Sequence, residues 1–167
     1  EAFNEVVRNE VYDKGLSLET FERLASDVAP YGYRLKCYFM QKPVPDMTDE
    51  AAVEDIRRAI DYLDQTAVRN GISINLHLNP TYVAAGTMLE KAFRKQQYTP
   101  PRLCDVAEAA RHARGKSLTL FIGLADEGLA VPGGSAIRDG EQNLVEDLEQ
   151  FNRTQDYDVL DRVSSWE

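Results

Sequence analysis

The sequence predicts an α/β fold in which a parallel sheet of three strands is joined by crossover helices and followed by a helical tail. Three observations carry that expectation. Strand-like runs at 33–40, 72–79 and 117–124 alternate with segments of helical periodicity, an order that calls for right-handed crossovers and parallel pairing. The run Ile72-Ser73-Ile74-Asn75-Leu76-His77-Leu78-Asn79 alternates apolar and polar without a break, so its two faces differ in kind. The chain has 167 residues, 43% hydrophobic and 28% charged, a globular composition with enough length for one sizeable core.

Each element has its own local reason. Residues 2–14 carry Phe3, Val6, Val7 and Val11 at a loose helical spacing that ends at Gly15. Ser17 is placed to cap a helix with the apolar face Leu18, Phe21, Leu24, Ala25 and Val28, which Pro30 and Gly32 stop. The first strand, Tyr33 to Met40, sets Arg34, Lys36, Tyr38 and Met40 opposite Leu35, Cys37, Phe39 and Gln41. Pro43 and Pro45 end it, because proline cannot donate to a ladder. Thr48 or Asp49 opens the longest helix, 50–69, whose stripe is Val53, Ile56, Ala59, Ile60, Leu63 and Ala67 and whose stop is Asn70-Gly71. After the second strand come a loop at 80–86, a short helix at 88–95, the break Pro100-Pro101 and a helix from about Leu103 to Arg114. The third strand has Leu, Phe and Ile at its centre. A Gly-containing loop beginning at 126 then divides residues 1–125 from a tail, 126–167, with a polar helix at 141–152 and a short segment at 157–163.

Charge and composition exclude several functions. With 19 Lys and Arg against 28 Asp and Glu the net charge is −9, which repels polyanions at long range and argues against nonspecific phosphate-backbone binding, though not against a local basic patch. No apolar run approaches the roughly 18 to 20 residues that span a bilayer. No signal-peptide pattern heads the chain, so a cytoplasmic protein with no membrane partner is expected. Two cysteines (Cys37 and Cys104) and two histidines (His77 and His112) are too few for a four-cysteine zinc site, a His-rich metal site or a three-cysteine iron–sulfur loop. No metal ligand is expected. Val131-Pro132-Gly133-Gly134-Ser135 lacks the Lys-Ser/Thr of a phosphate loop and reads as a linker or lid.

The candidate site lies on the second strand and at the strand exits. A central parallel strand is normally apolar on both faces. The polar stripe Ser73, Asn75, His77 and Asn79 therefore lines something wet, most economically the lumen of an α/β barrel; an antiparallel or edge strand with a solvent face is the alternative. Asn79 and Thr81 flank Pro80 at the C-terminal end, where such folds bind ligands. Their amide and hydroxyl suit a neutral polar ligand such as a ribose or an adenine edge, and a capping turn is the plain alternative. Gln41 and Lys42 occupy the matching exit of the first strand, with Lys42 set to meet a carboxylate or phosphate, or only solvent. His77 reads as a general base, a ligand or a hydrogen-bonded structural residue. Cys37, among aromatics, reads as a buried inert thiol. No catalytic residue is assigned.

Two strings of short motifs resemble a known family. Residues 4–43, with Lys14-Gly15-Leu16-Ser17 and Tyr33-Arg34-Leu35-Lys36-Cys37-Tyr38-Phe39-Met40-Gln41-Lys42-Pro43, resemble the piece after the fourth strand of a radical S-adenosylmethionine barrel of the elongator type. Leu78-Asn79-Pro80-Thr81, Val83, Gly86-Thr87, Leu89-Glu90 and Tyr98-Thr99-Pro100-Pro101 resemble the archaeosine-synthase radical partner and its bacterial relatives. The resemblance runs over residues 2–125. It implies a partial (βα) barrel that binds a 4Fe-4S cluster and S-adenosylmethionine, an oxidoreductase whose relatives modify tRNA bases. The CxxxCxxC loop that holds the cluster is absent here, and the chain opens on Glu1 rather than Met. The resemblance thus implies the C-terminal half of such an enzyme, inactive alone and without cofactor. Its partner would be the upstream half of the same polypeptide, with cluster and S-adenosylmethionine held by the full-length protein. Gln41, Lys42, Asn79 and Thr81 carry over by position as contacts to substrate or S-adenosylmethionine, with Asn75 and His77 beside them on the lumen face. A self-contained, non-catalytic α/β binding or assembly module is the alternative. Half a barrel also exposes the strand at 33–40 as an edge, so the fragment is expected to form a homo-oligomer through that edge or the open face, unless residues 2–14 fold over it.

Overall fold

The computed structural model describes residues 2–164. Strands β1 (Arg34–Gln41), β2 (Ser73–Pro80) and β3 (Thr119–Ile122) form one sheet, parallel throughout and in sequential order. The helices are α1 (Leu18–Val28), α2 (Asp49–Asn70), α3 (Met88–Arg94), α4 (Leu103–Arg111), α5 (Gln142–Thr154) and α6 (Tyr157–Ser164). Their starts follow side-chain chemistry: the Ser17, Thr48 and Thr87 hydroxyls accept the amides of Thr20, Ala51 and Glu90 at 3.0, 3.1 and 3.2 Å. Gly71, at φ +62°, takes the left-handed turn that ends α2. Among the described residues, no helix is long and apolar enough to cross a membrane.

Sequential strand order with right-handed crossovers puts α2 and α4 on the same side of the sheet. Burial shows that side. Ile74, Leu76 and Leu78 of β2 and Leu120 and Ile122 of β3 share one core with Ile56, Ile60 and Leu63 of α2 and Leu103 and Val106 of α4. On the opposite face Ser73, Asn75, His77 and Asn79 alternate with those buried residues and are exposed or half-buried, as are Arg34, Lys36, Tyr38 and Met40 of β1.

The tail belongs to the same core. Its first helix is amphipathic rather than polar: Leu144, Leu148 and Phe151 of α5 join Val159, Leu160 and Val163 of α6 against the sheet helices. Phe151 meets Tyr157 edge to face at 5.1 Å. The tail also seals the outer edge of β3. Asn152 accepts the Ile122 amide and donates to its carbonyl, both at 2.8 Å, and Gln155 donates to the Leu120 carbonyl at 2.9 Å.

The β1 edge is treated differently. Within residues 2–14 the helical spacing yields only a short π-type turn, Val7–Val11. The Asp55 carboxylate draws the Phe3 and Asn4 amides to 2.9 and 2.7 Å, and Arg8 binds the Phe3 and Leu16 carbonyls at 2.7 and 2.8 Å. This segment stands beside β1 without joining its ladder. A cavity of about 440 Å³ lies between Ala2, Phe3, Arg8 and Leu16 on one side and Lys36, Cys37, Tyr38 and Phe39 on the other. Exposed large apolar side chains gather here, from Val6 and Val11 through Leu16 and Leu18 to Tyr33 and Tyr38.

Candidate functional site

The register divides the sequence-predicted residues into two groups. Asn75, His77 and Asn79 lie on the open face, opposite Lys36, Tyr38 and Met40 of β1, while Asn75 and His77 pair on the other side with Thr119 and Phe121. Thr119 donates to Asn75 Oδ1 at 2.7 Å. The His77 ring sits between Tyr38 and Phe121, with centroids 5.2 Å away on each side. Lys36 Nζ lies 4.9 Å from the Tyr38 ring centre. Burial and then the Lys36 charge push the His77 pKa below its ordinary 6.5, so the ring is neutral at physiological pH.

Gln41, Lys42 and Thr81 form the second group, buried where β1 and β2 end. Gln41 continues the series Leu35, Cys37, Phe39 and therefore points to the helix side, away from His77. Only 1% of it is exposed, and neither polar atom of its side chain has a partner among the described residues. The Thr81 hydroxyl is likewise buried and unpartnered, while its amide donates to the Gln41 carbonyl at 3.3 Å. Each such orphan costs about 1–3 kcal/mol, so two side by side are not a packing accident. Lys42 is held at φ +57°, a conformation that L side chains resist. What holds it is visible. Its ammonium is 2.7 Å from Asp49 Oδ1 and 3.4 Å from the Thr99 hydroxyl, and its carbonyl accepts the Tyr98 hydroxyl at 2.9 Å.

Asn79 links the groups. Its side-chain amide reaches the Phe39 and His77 carbonyls only at 3.5 and 3.4 Å, bonds long enough to exchange for better ones. Gly123 makes room for it, since a Cβ there would collide with Asn79 Oδ1. Sequence reasoning missed Gly123, Tyr98 and Thr99 as site residues. Tyr98 is 56 positions from Lys42, and nothing local announces their contact.

The residues present do not fit an iron–sulfur cluster. Burial pushes the Cys37 thiol up to about 11, Cys104 opens α4 with its sulfur 3.9 Å from Asp105 Oδ1, and no three His, Cys, Asp or Glu among the described residues are grouped to hold a metal. The strand exits offer instead neutral amides and a hydroxyl, which suit the polar edge of an organic ligand.

Comparison with known proteins gives the following. The chain is 34% identical over 114 residues to archaeosine synthase subunit beta of Methanosarcina acetivorans, covering 68% of this chain and 31% of that protein. It is 25% identical over 171 residues to archaeosine synthase subunit beta of Thermococcus kodakarensis, covering 98% of this chain and 49% of the relative. An uncharacterized protein of Methanocaldococcus jannaschii is 27% identical over 169 residues, with 96% and 43% covered. The chain thus spans less than half the length of these curated relatives. No family model matches it, and no solved structure matches it significantly. Proteins named archaeosine synthase subunit beta are therefore homologues of this chain.

Proposed function

We propose that this chain is the C-terminal part of a radical S-adenosylmethionine enzyme that modifies a tRNA base, contributing three strands of a partial barrel whose cluster-binding strands lie on other polypeptide. The observation that carries this reading is the asymmetry of the sheet's edges. Asn152 and Gln155 close β3, whereas β1 borders a cavity and exposed apolar side chains, which suits further strands added on the β1 side. Helices on one face and polar and aromatic groups on the other suit a barrel wall. The homologues' name supports both the tRNA role, archaeosine being a tRNA nucleoside, and a partner subunit. In this reading Asn79, Thr81 and Gln41 hydrogen-bond the organic ligands at the strand exits, and Lys42 is the fixed cation beside them. On its own, the chain would cover its β1 edge with a second copy.

The orphaned Gln41 supplies the test. In the longer protein, under anaerobic conditions with reductant, S-adenosylmethionine and tRNA, release of 5′-deoxyadenosine and a mass change in one tRNA nucleoside are expected. Gln41→Leu is expected to raise stability by about 1 kcal/mol, because a buried unpaired amide is removed. The same change is expected to lower turnover at least tenfold, a loss of about 1.4 kcal/mol in binding or transition-state contact. Absence of both products from the wild-type protein would leave the non-catalytic module as the better reading.

A further inference from the structure

The open face of the sheet has a charge unlike the rest of the molecule. The strand side chains turned to that side include two cations, Arg34 and Lys36, and no carboxylate, in a chain whose net charge is −9. At its middle Tyr38, His77 and Phe121 form a row, one ring per strand. The ring planes are inclined by 39° and 26° at 5.2 Å separation, so neighbours overlap with an offset and leave part of each face uncovered. Tyr38 is 53% exposed. Cross-strand packing accounts for rings at adjacent positions, but not for the exclusion of acids from the surface around them.

We propose that this row is a stacking platform for the base of a purine ribonucleotide in an RNA strand, with Lys36 and Arg34 meeting its phosphate. Stacking on aromatic side chains is the common way to hold an unpaired base, and a bicyclic purine is long enough to span two rings of the row. A neutral His77 keeps a third cation out of the stack, and the weakly held Asn79 amide is free to turn to a base edge. The row lies three residues below the strand ends at Gln41 and Pro80, so the base must leave its own helix to reach it. S-adenosylmethionine fits this face poorly, because its sulfonium and ammonium would approach Lys36 and Arg34. The proposal rests on the tRNA reading above and assigns that reading its base-binding surface.

Proton NMR of the chain itself tests it, with no cluster and no turnover needed. Its two histidines serve as reporter and control, His77 in the row and His112 paired with Asp61 on the helix layer. Guanosine 5′-monophosphate is expected to shift the His77 ring signals upfield and leave those of His112 unmoved. The affinity should fall as salt is raised and be severalfold weaker for guanosine, which lacks the phosphate. Phe121→Leu and Tyr38→Leu, both apolar replacements on a partly exposed face, should each weaken binding on the order of tenfold. No His77 shift, equal affinity for guanosine, or tighter binding of S-adenosylmethionine at the same rings would overturn the proposal. Should the nucleotide bind here while the longer protein leaves tRNA unchanged, the functional reading fails and the platform stands.

Discussion

Leu76→Ala is expected to destabilise the protein by about 3–5 kcal/mol, while Asn75→Ala, one position earlier, costs about 0.5–1.5 kcal/mol. Leu76 is fully buried on the central strand, between Ile74 and Leu78 and beneath α2 and α4, where both neighbouring strands hold it in register. Truncation leaves a cavity that a central strand cannot collapse to fill. Asn75 is half-buried on the open face and loses one hydrogen bond, the 2.7 Å contact from Thr119. Urea unfolding of the two variants should show a much larger fall in midpoint for Leu76→Ala. The reverse order would mean that β2 is shifted by one residue, which exchanges its two faces entirely.

Phe151→Ala should have an effect of the same size, about 3–5 kcal/mol, although it lies in the tail. Its ring is fully buried and packs edge to face on Tyr157, tying α5 to α6. The next residue, Asn152, holds both backbone groups of Ile122, so loosening α5 also releases the β3 edge. The expected result is one cooperative transition at lower denaturant, seen equally by far-UV dichroism and by tyrosine fluorescence. A sheet whose midpoint does not move when Phe151 is truncated would make the tail a separate appendage.

Those two residues also show what the sequence made legible. The alternation of β2 was readable because a strand's period is 2 and every position obeys it. The caps at Ser17 and Thr48 were readable because they satisfy amides within three residues. The burial of α5 was written at Leu144, Leu148 and Phe151, a helical spacing, yet the charged residues between them gave the segment a polar look. Residues 2–14 failed for a different reason. Their helical spacing is overridden by Asp55, some 50 positions away, which takes the first amides for itself. In the site, the alternation of β1 already placed Gln41 with Leu35 and Phe39, but its lack of partners depends on α2 and the loops around it. Grouping Gln41 and Lys42 with His77 followed from chain position, and three dimensions separate them onto two sides of the sheet.

The proposal that β1 is an inner strand of a larger barrel can be tested amide by amide. Gln41 turns its carbonyl to Thr81 and β2, so the amides of Lys36, Tyr38 and Met40, one step out of phase, point away from β2. Hydrogen exchange resolved to single residues in the longer protein would read these three against Cys37 and Phe39. If further strands continue the sheet, all five should exchange slowly and together. Fast exchange at 36, 38 and 40 beside slow exchange at 37 and 39 would mark β1 as a true edge and contradict the barrel.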